Sequence, residues 1–119
     1  MTLNDFPSWL EIDEGYLCLI DRKLYDFTPW EILLGDDYLV RYESLRKNYP
    51  DRKLVPFFYR QDNDDIACWE KDNGGKVIVV HDFASPGWEN SHIYEDFWSW
   101  FRDGVEDMID WGRDNNKSN

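Results

Sequence analysis

The sequence predicts an α+β fold: a single domain in which an antiparallel sheet of about four strands is flanked by N-terminal helices and a long C-terminal helix. Three observations carry this expectation. Short apolar runs separated by turn-forming residues fill the middle of the chain, from Leu54 to Val80. Apolar side chains at helical spacing dominate the C-terminal third, and weaker patterns of the same period precede the strands. The chain has 119 residues, 42% of them hydrophobic and including seven each of Trp, Tyr and Phe, which is enough for one core. A chain of this size buries roughly two-thirds of its unfolded surface, and aromatic side chains supply much area per residue. The domain is expected to span 1–112, with 113–119 as a disordered polar tail.

The elements follow in order. Trp9, Ile12, Tyr16 and Leu19 or Ile20 lie three to four residues apart, as on a helix face; Gly15 weakens that helix, and Tyr16–Ile20 would also serve as a short strand. Thr28-Pro29-Trp30-Glu31 has a cap residue, a proline suited to the first helical position and an acid for the first turn, which predicts a short helix ending at Gly35. Asp36 or Asp37 caps the next helix, with Leu39, Tyr42, Leu45 and Tyr49 on its inner face and Arg41, Arg46 and Lys47 outside. Leu54–Tyr59 reads as a strand, with Pro56 suited to an edge position because it lacks a ladder donor. Ile66–Glu70 and Lys76–Val80 are two further strands joined by the turn Asp72-Asn73-Gly74-Gly75, and the apolar run Val77–Val80 predicts a central strand covered on both faces. A loop over 82–91 then leads to a helix from about Ile93 to Trp111. Its apolar stripe is Tyr94, Phe97, Trp98, Phe101, Val105, Met108 and Ile109.

The 25 acids and 13 bases give a formal charge of −12, which repels nucleic-acid backbones and anionic lipid and steers basic partners toward the chain. Neither nucleic acid nor membrane is therefore an expected partner. No stretch approaches the ~20 apolar residues of a membrane span, and the N-terminal residues lack signal-peptide character, so a cytoplasmic location is expected. Cys18 and Cys68 are too few for a disulfide framework or a zinc site and read as reduced thiols. Charge is unevenly distributed: residues 1–40 and 81–110 each carry −7, whereas 41–60 carry +4. That basic band is expected to be absorbed by internal salt bridges and solvated helix faces.

Several constellations invite a chemical reading. Asp62-Asn63-Asp64-Asp65 has the composition of a calcium loop, but the fifth, sixth and twelfth positions hold Ile66, Ala67 and Asn73, where an EF-hand needs an oxygen ligand, Gly and Glu. Asn and Asp favour turns, so a turn between strands comes first and a docking edge second. Three crowded carboxylates would welcome a basic partner side chain. Paired carboxylates among aromatics are also the ingredients of glycoside hydrolysis, although in so acidic and aromatic a chain some such pair arises by chance. His81, Asp82 and Ser85 supply the residue types of a hydrolytic triad, but strand neighbours point to opposite faces and no GxSxG elbow is present. His92 belongs to a loop without metal-ligand spacing. In Ser85-Pro86-Gly87-Trp88-Glu89 a bulky Trp occupies a loop, either packed back on the sheet or set out as a contact anchor.

The order of Val55-Pro56-Phe57-Phe58, the acidic turn 62–65, Ile66-Ala67-Cys68-Trp69, Val77-Ile78-Val79-Val80-His81 and a helix bearing Phe97-Trp98-Ser99-Trp100-Phe101 resembles the SUKH superfamily over Val55–Trp111. That superfamily includes bacterial immunity proteins and a fungal cell-wall-assembly regulator. Asn63 stands where members commonly have Gly. The resemblance implies an α+β domain that binds protein rather than catalysing a reaction, and it carries no catalytic residue across.

The resulting expectation is an acidic, non-catalytic protein-binding domain of immunity type, which neutralises a basic toxin or effector. It would require no cofactor or metal and exist as a monomer or weak homodimer. The expected contact residues are Asp62, Asp64, Asp65, Glu70, Trp88 and Glu89. The alternative is a carbohydrate-binding or small carbohydrate-active protein that uses exposed aromatics and carboxylates.

Overall fold

In the computed structural model, which describes residues 5–85 and 87–117, a six-stranded antiparallel sheet is wedged between helices. The elements run α1 (Glu14–Asp21), β1 (Asp26–Phe27), β2 (Trp30–Ile32), α2 (Gly35–Asn48), β3 (Leu54–Arg60), β4 (Asp65–Glu70), β5 (Val77–His81), β6 (Asn90–Tyr94) and α3 (Phe97–Lys117). Spatial order equals chain order, β1 to β6. The expected class holds, with two more strands than the four expected.

Strand alternation divides the core. Val55, Ala67, Trp69, Val77 and Val79 face α1 and α3; Leu54, Ile66, Cys68, Ile78 and Val80 face α2. All four residues Val77–Val80 are buried, as their unbroken apolar run predicted. Pro56 corrects its expected place: β3 is an interior strand between β2 and β4, and Pro56 lies where its ladder shifts register before Phe58. The pairing with β2 reaches only Phe58, so no β2 residue needs the missing proline N–H. The bulge also turns two consecutive residues, Phe57 and Phe58, toward the same helix, with ring centres 5.1 and 5.3 Å from Trp100. Phe57 stacks on Trp69 at 4.1 Å, and Tyr16 closes on both. Such pairs add about 0.5–1.5 kcal/mol each beyond area burial.

Several local expectations are corrected. The first helix starts only at Glu14, where the Asp13 side chain accepts the Gly15 N–H at 2.7 Å; Trp9 and Ile12 precede it, and Tyr16–Ile20 is helical. Thr28–Glu31 forms no helix but the turn and second strand of the β1–β2 hairpin, with a cis Thr28–Pro29 peptide, because Phe27 and Trp30 both pack onto Trp100 of α3. On α2 the buried side chains are Tyr38 and Leu45, whereas Leu39 is exposed. The segment 90–94, assigned to loop and helix start, is the edge strand β6 and includes His92. The carboxylate of Asp96 accepts the Ser99 N–H at 2.8 Å and so starts α3 at Phe97. The buried face of α3 uses Phe97, Trp100 and Gly104, while Trp98 lies outside. The helix continues to Lys117, so 113–117 are helical rather than a disordered tail; 118 and 119 lie outside the described residues. No described helix is long and apolar enough to cross a membrane.

Candidate functional site

Only two charged residues are buried among those described, Asp82 and Glu89, and they stand at the two ends of the β5–β6 loop. A buried carboxylate is costly unless donors surround it. Asp82 accepts from Ser44 Oγ at 2.8 Å, Asn48 Nδ2 at 2.9 Å and the Phe83 N–H at 3.0 Å. Ser44 and Asn48 lie one helical turn apart on α2 and therefore meet the same carboxylate from one face. Tyr49, just beyond that helix, donates to the carbonyls of Ala84 at 2.9 Å and His81 at 3.3 Å.

The other end is held by Arg52. Its guanidinium makes two 2.8 Å bonds to Glu70, one of 2.9 Å to Glu89 and one of 2.7 Å to Asn90 Oδ1. The remaining Glu89 oxygen accepts the Gly87 N–H at 2.6 Å. Burial alone would raise the Glu89 carboxyl; its own backbone N–H, Arg52 and Gly87 outweigh that and leave it below the ordinary range. The bonds to Glu70, and then to Glu89, raise Arg52 well above its ordinary value against the opposing effect of burial.

Between these anchors the loop displays two large apolar side chains. Trp88 is 83% exposed and Phe83 70%. Phe83 also sits at φ +69°, a left-handed conformation that costs a bulky residue about 1–2 kcal/mol. Next to it, a groove of about 280 Å³ is lined by Leu33, Asp37, Val40, Arg41, Tyr59 and Phe83. Val40 on α2 is 67% exposed, so helix and loop together present an apolar surface.

The six contact residues expected from sequence do not converge. Asp62 is clamped by Arg60 at 2.8 and 3.0 Å, and Asp65 opens β4 with its carboxylate 3.1 Å from His81 Nδ1. Glu70 and Glu89 are both engaged with Arg52, and Glu89 is only 8% exposed, so these two acids hold the loop and offer little free charge outward. Trp88 is set outward, which decides between the two placements its loop allowed. Asp64 is exposed, and its carbonyl accepts the Asp82 N–H at 3.3 Å, which brings it beside the loop. The stretch 61–64 is a hairpin turn in which Asn63 Oδ1 accepts the Asp65 N–H at 2.8 Å. Pro86 lies outside the described residues.

Sequence reasoning passed over Phe83, Val40, Ser44 and Asn48. An apolar residue directly after a strand-ending His-Asp was the available signal for Phe83. His81 and Asp82 diverge, one toward Asp65 and the other under α2, so they form no relay. Among the described residues no three His, Cys, Asp or Glu side chains are grouped to hold a metal ion. Burial pushes the Cys68 thiol far above its ordinary range, away from nucleophilic character.

A second concave area of about 360 Å³ lies between β3 and α3, lined by Arg60, Asp62, Asp107, Asp110, Trp111 and Asp114. Arg60 lies 3.4 Å from Asp107 in addition to its bonds with Asp62, and Asp107 also accepts Trp30 Nε1 at 2.9 Å. Comparison with protein-family models, curated proteins and solved structures gives no match for the chain.

Proposed function

We propose that this chain is a non-catalytic protein-binding domain of immunity type, which neutralises a basic effector through the anchored 82–89 loop. The observation that carries the reading is Phe83: an exposed aromatic side chain in a strained backbone conformation, held there by a fully buried carboxylate. Aromatic anchors at the centre of a contact, surrounded by polar groups, are the usual source of interface energy. Asp37 lines the groove beside Phe83, Asp36 is its helical neighbour, and Asp64 adjoins the loop. All three are exposed and make no ion pair among the described residues. With a chain charge of −12, this acidic rim speeds encounter with a basic surface and disfavours acidic competitors.

The test is survival and affinity. Co-production of the chain should rescue cells that express the basic effector it binds, and F83A/W88A should abolish rescue without lowering the thermal midpoint. Affinity should fall about tenfold or more between low and near-physiological salt, since the rim acts through screened charges. Salt-independent binding that survives F83A/W88A would overturn the reading.

A carbohydrate ligand is the second reading. It is favoured by the groove where Trp111 meets Asp62, Asp107 and Asp110. Saturable glycan binding that is lost in W111A would support it over protein docking.

A further inference from the structure

The basic band of the sequence is only partly absorbed. Of the six cations in 41–60, Arg52 and Arg60 are ion-paired and Arg41 lies over the Tyr59 ring at 5.2 Å. Arg46, Lys47 and Lys53 make no side-chain hydrogen bond or ion pair among the described residues. Arg46 and Lys53 instead line a cavity of about 280 Å³, together with Trp9, Tyr42, Pro50, Arg52 and Leu54. Three separate pieces of chain build it: the segment before α1, the outer turns of α2, and the α2–β3 connection. Lys71 adds a fourth cation at the margin. Its N–H donates to the Lys53 carbonyl at 3.1 Å, and its Nζ stands 5.7 Å from the centre of the Trp9 ring.

Like charges brought together around a concave surface repel unless an anion joins them. No carboxylate is among the residues that line the cavity, and Glu70 and Glu89 are taken up by Arg52. In a chain of −12, a concavity in which Arg46 and Lys53 have no ion-pair partner among the described residues stands apart from the rest of the surface. A long polyanion would be repelled by the acidic remainder, whereas a small anion meets only the local cations. A guanidinium and an ammonium together match a phosphate dianion, the first through its planar donor fork and the second as a point charge. The half-buried rings of Trp9 and Tyr42 line the same cavity and offer it apolar walls.

We propose that this cavity binds a small organic phosphate, with its phosphate between Arg46 and Lys53 and a planar ring against Trp9 and Tyr42. The cavity shares Arg52 with the anchor of the 82–89 loop, but the proposal does not depend on that loop's proposed partner.

The experiment titrates the full chain, at low salt, with a nucleoside 5′-monophosphate, the corresponding nucleoside and inorganic phosphate, by calorimetry and by NMR shifts of the Trp indole N–H signals. The expected result is saturable binding of the monophosphate, about tenfold or more tighter than either the nucleoside or phosphate alone, with shifts at Trp9. R46A/K53A should weaken it about tenfold or more while the chain melts at the same or a higher temperature, because neither side chain has a partner to lose. The charge-keeping variant R46K/K53R should retain most of the affinity. Failure to saturate up to about 10 mM, affinity that survives R46A/K53A, or inorganic phosphate binding as tightly as the monophosphate would each overturn the proposal.

Discussion

Asp82→Ala tests whether the loop is held as described. The substitution removes the acceptor for Ser44, Asn48 and the Phe83 N–H at once. Hydrogen bonds to a charged acceptor contribute about 1.5–3 kcal/mol each, so three of them set an upper bound of about 5–9 kcal/mol. Two circumstances lower it. Ser44 and Asn48 are half-buried, and Phe83 is exposed, so water reaches the abandoned donors once the loop loosens. A loss of about 2–4 kcal/mol results, a large share of the ~5–15 kcal/mol typical of a folded domain. Equilibrium urea unfolding should show it as a lower midpoint at unchanged slope. In thermal melts the same loss corresponds to a fall of roughly 8–16 °C. Ser44→Ala and Asn48→Ala should each cost about 1 kcal/mol in the wild type and close to nothing in the Asp82→Ala background, since their shared partner is gone. A cost below about 1 kcal/mol for Asp82→Ala, or full additivity in the cycles, would refute the anchoring role.

Phe83→Gly relieves the left-handed strain of about 1–2 kcal/mol at a backbone-entropy cost of about 1 kcal/mol, so the melting temperature should hold or rise slightly while partner affinity collapses. A marked loss of stability would mean that the exposed ring is structural. Gly104→Ala places a methyl group 2.8 Å from Phe27 Cε2. The gain of about 1 kcal/mol in helix preference is then outweighed by about 1–3 kcal/mol of overpacking, so urea unfolding should show a net loss, and a gain would contradict the close approach of α3 and β1. Glu89 has its folded-state carboxyl lowered, so its stabilising effect is complete above the unfolded value of about 4.3 and is lost as pH falls through the lower folded value. The stability difference between wild type and Glu89→Gln should therefore be widest near neutrality and close in acid; a difference unchanged down to about pH 2.5 would sink the assignment.

The β3–β4–β5 meander was legible because its signals agree: β-branched and aromatic runs, an Asp-Asn-Gly-Gly turn in which Asp72, Gly74 and Gly75 all take positive φ, and an unbroken apolar strand buried on both faces. Elements decided by distant packing were not. Thr28-Pro29 carries the chemistry of both a helix start and a turn, and only the demand that Phe27 and Trp30 reach α3 selects the hairpin. In β6, Asn90, Ser91 and His92 are exposed and give no strand periodicity, while Tyr94 sits three residues before Phe97 and imitates the helix stripe. On α2 the expected stripe Tyr42, Leu45 and Tyr49 faces inward, but its first member is Tyr38, four residues before Tyr42, in place of Leu39. The internal engagement of two of the expected acidic contacts was hidden for a related reason. Glu70 and Glu89 are 18 and 37 residues from Arg52 in the chain, so neutralisation by that one cation could not be seen from local charge. Of the expected contacts, Trp88 and Asp64 keep surface positions suited to docking.

Strand order that repeats chain order has a bearing on how the molecule assembles. Each hairpin can close with the strand made just before it, so few contacts in the sheet wait for remote sequence, and such topologies fold quickly for their size. The donors Ser44, Asn48 and Arg52 precede the loop they grip, so they are made before Asp82 and Glu89 emerge. α3, which brings Phe97 and Trp100 to the core, is made after the loop, so the aromatic display gains its full support only with that last helix.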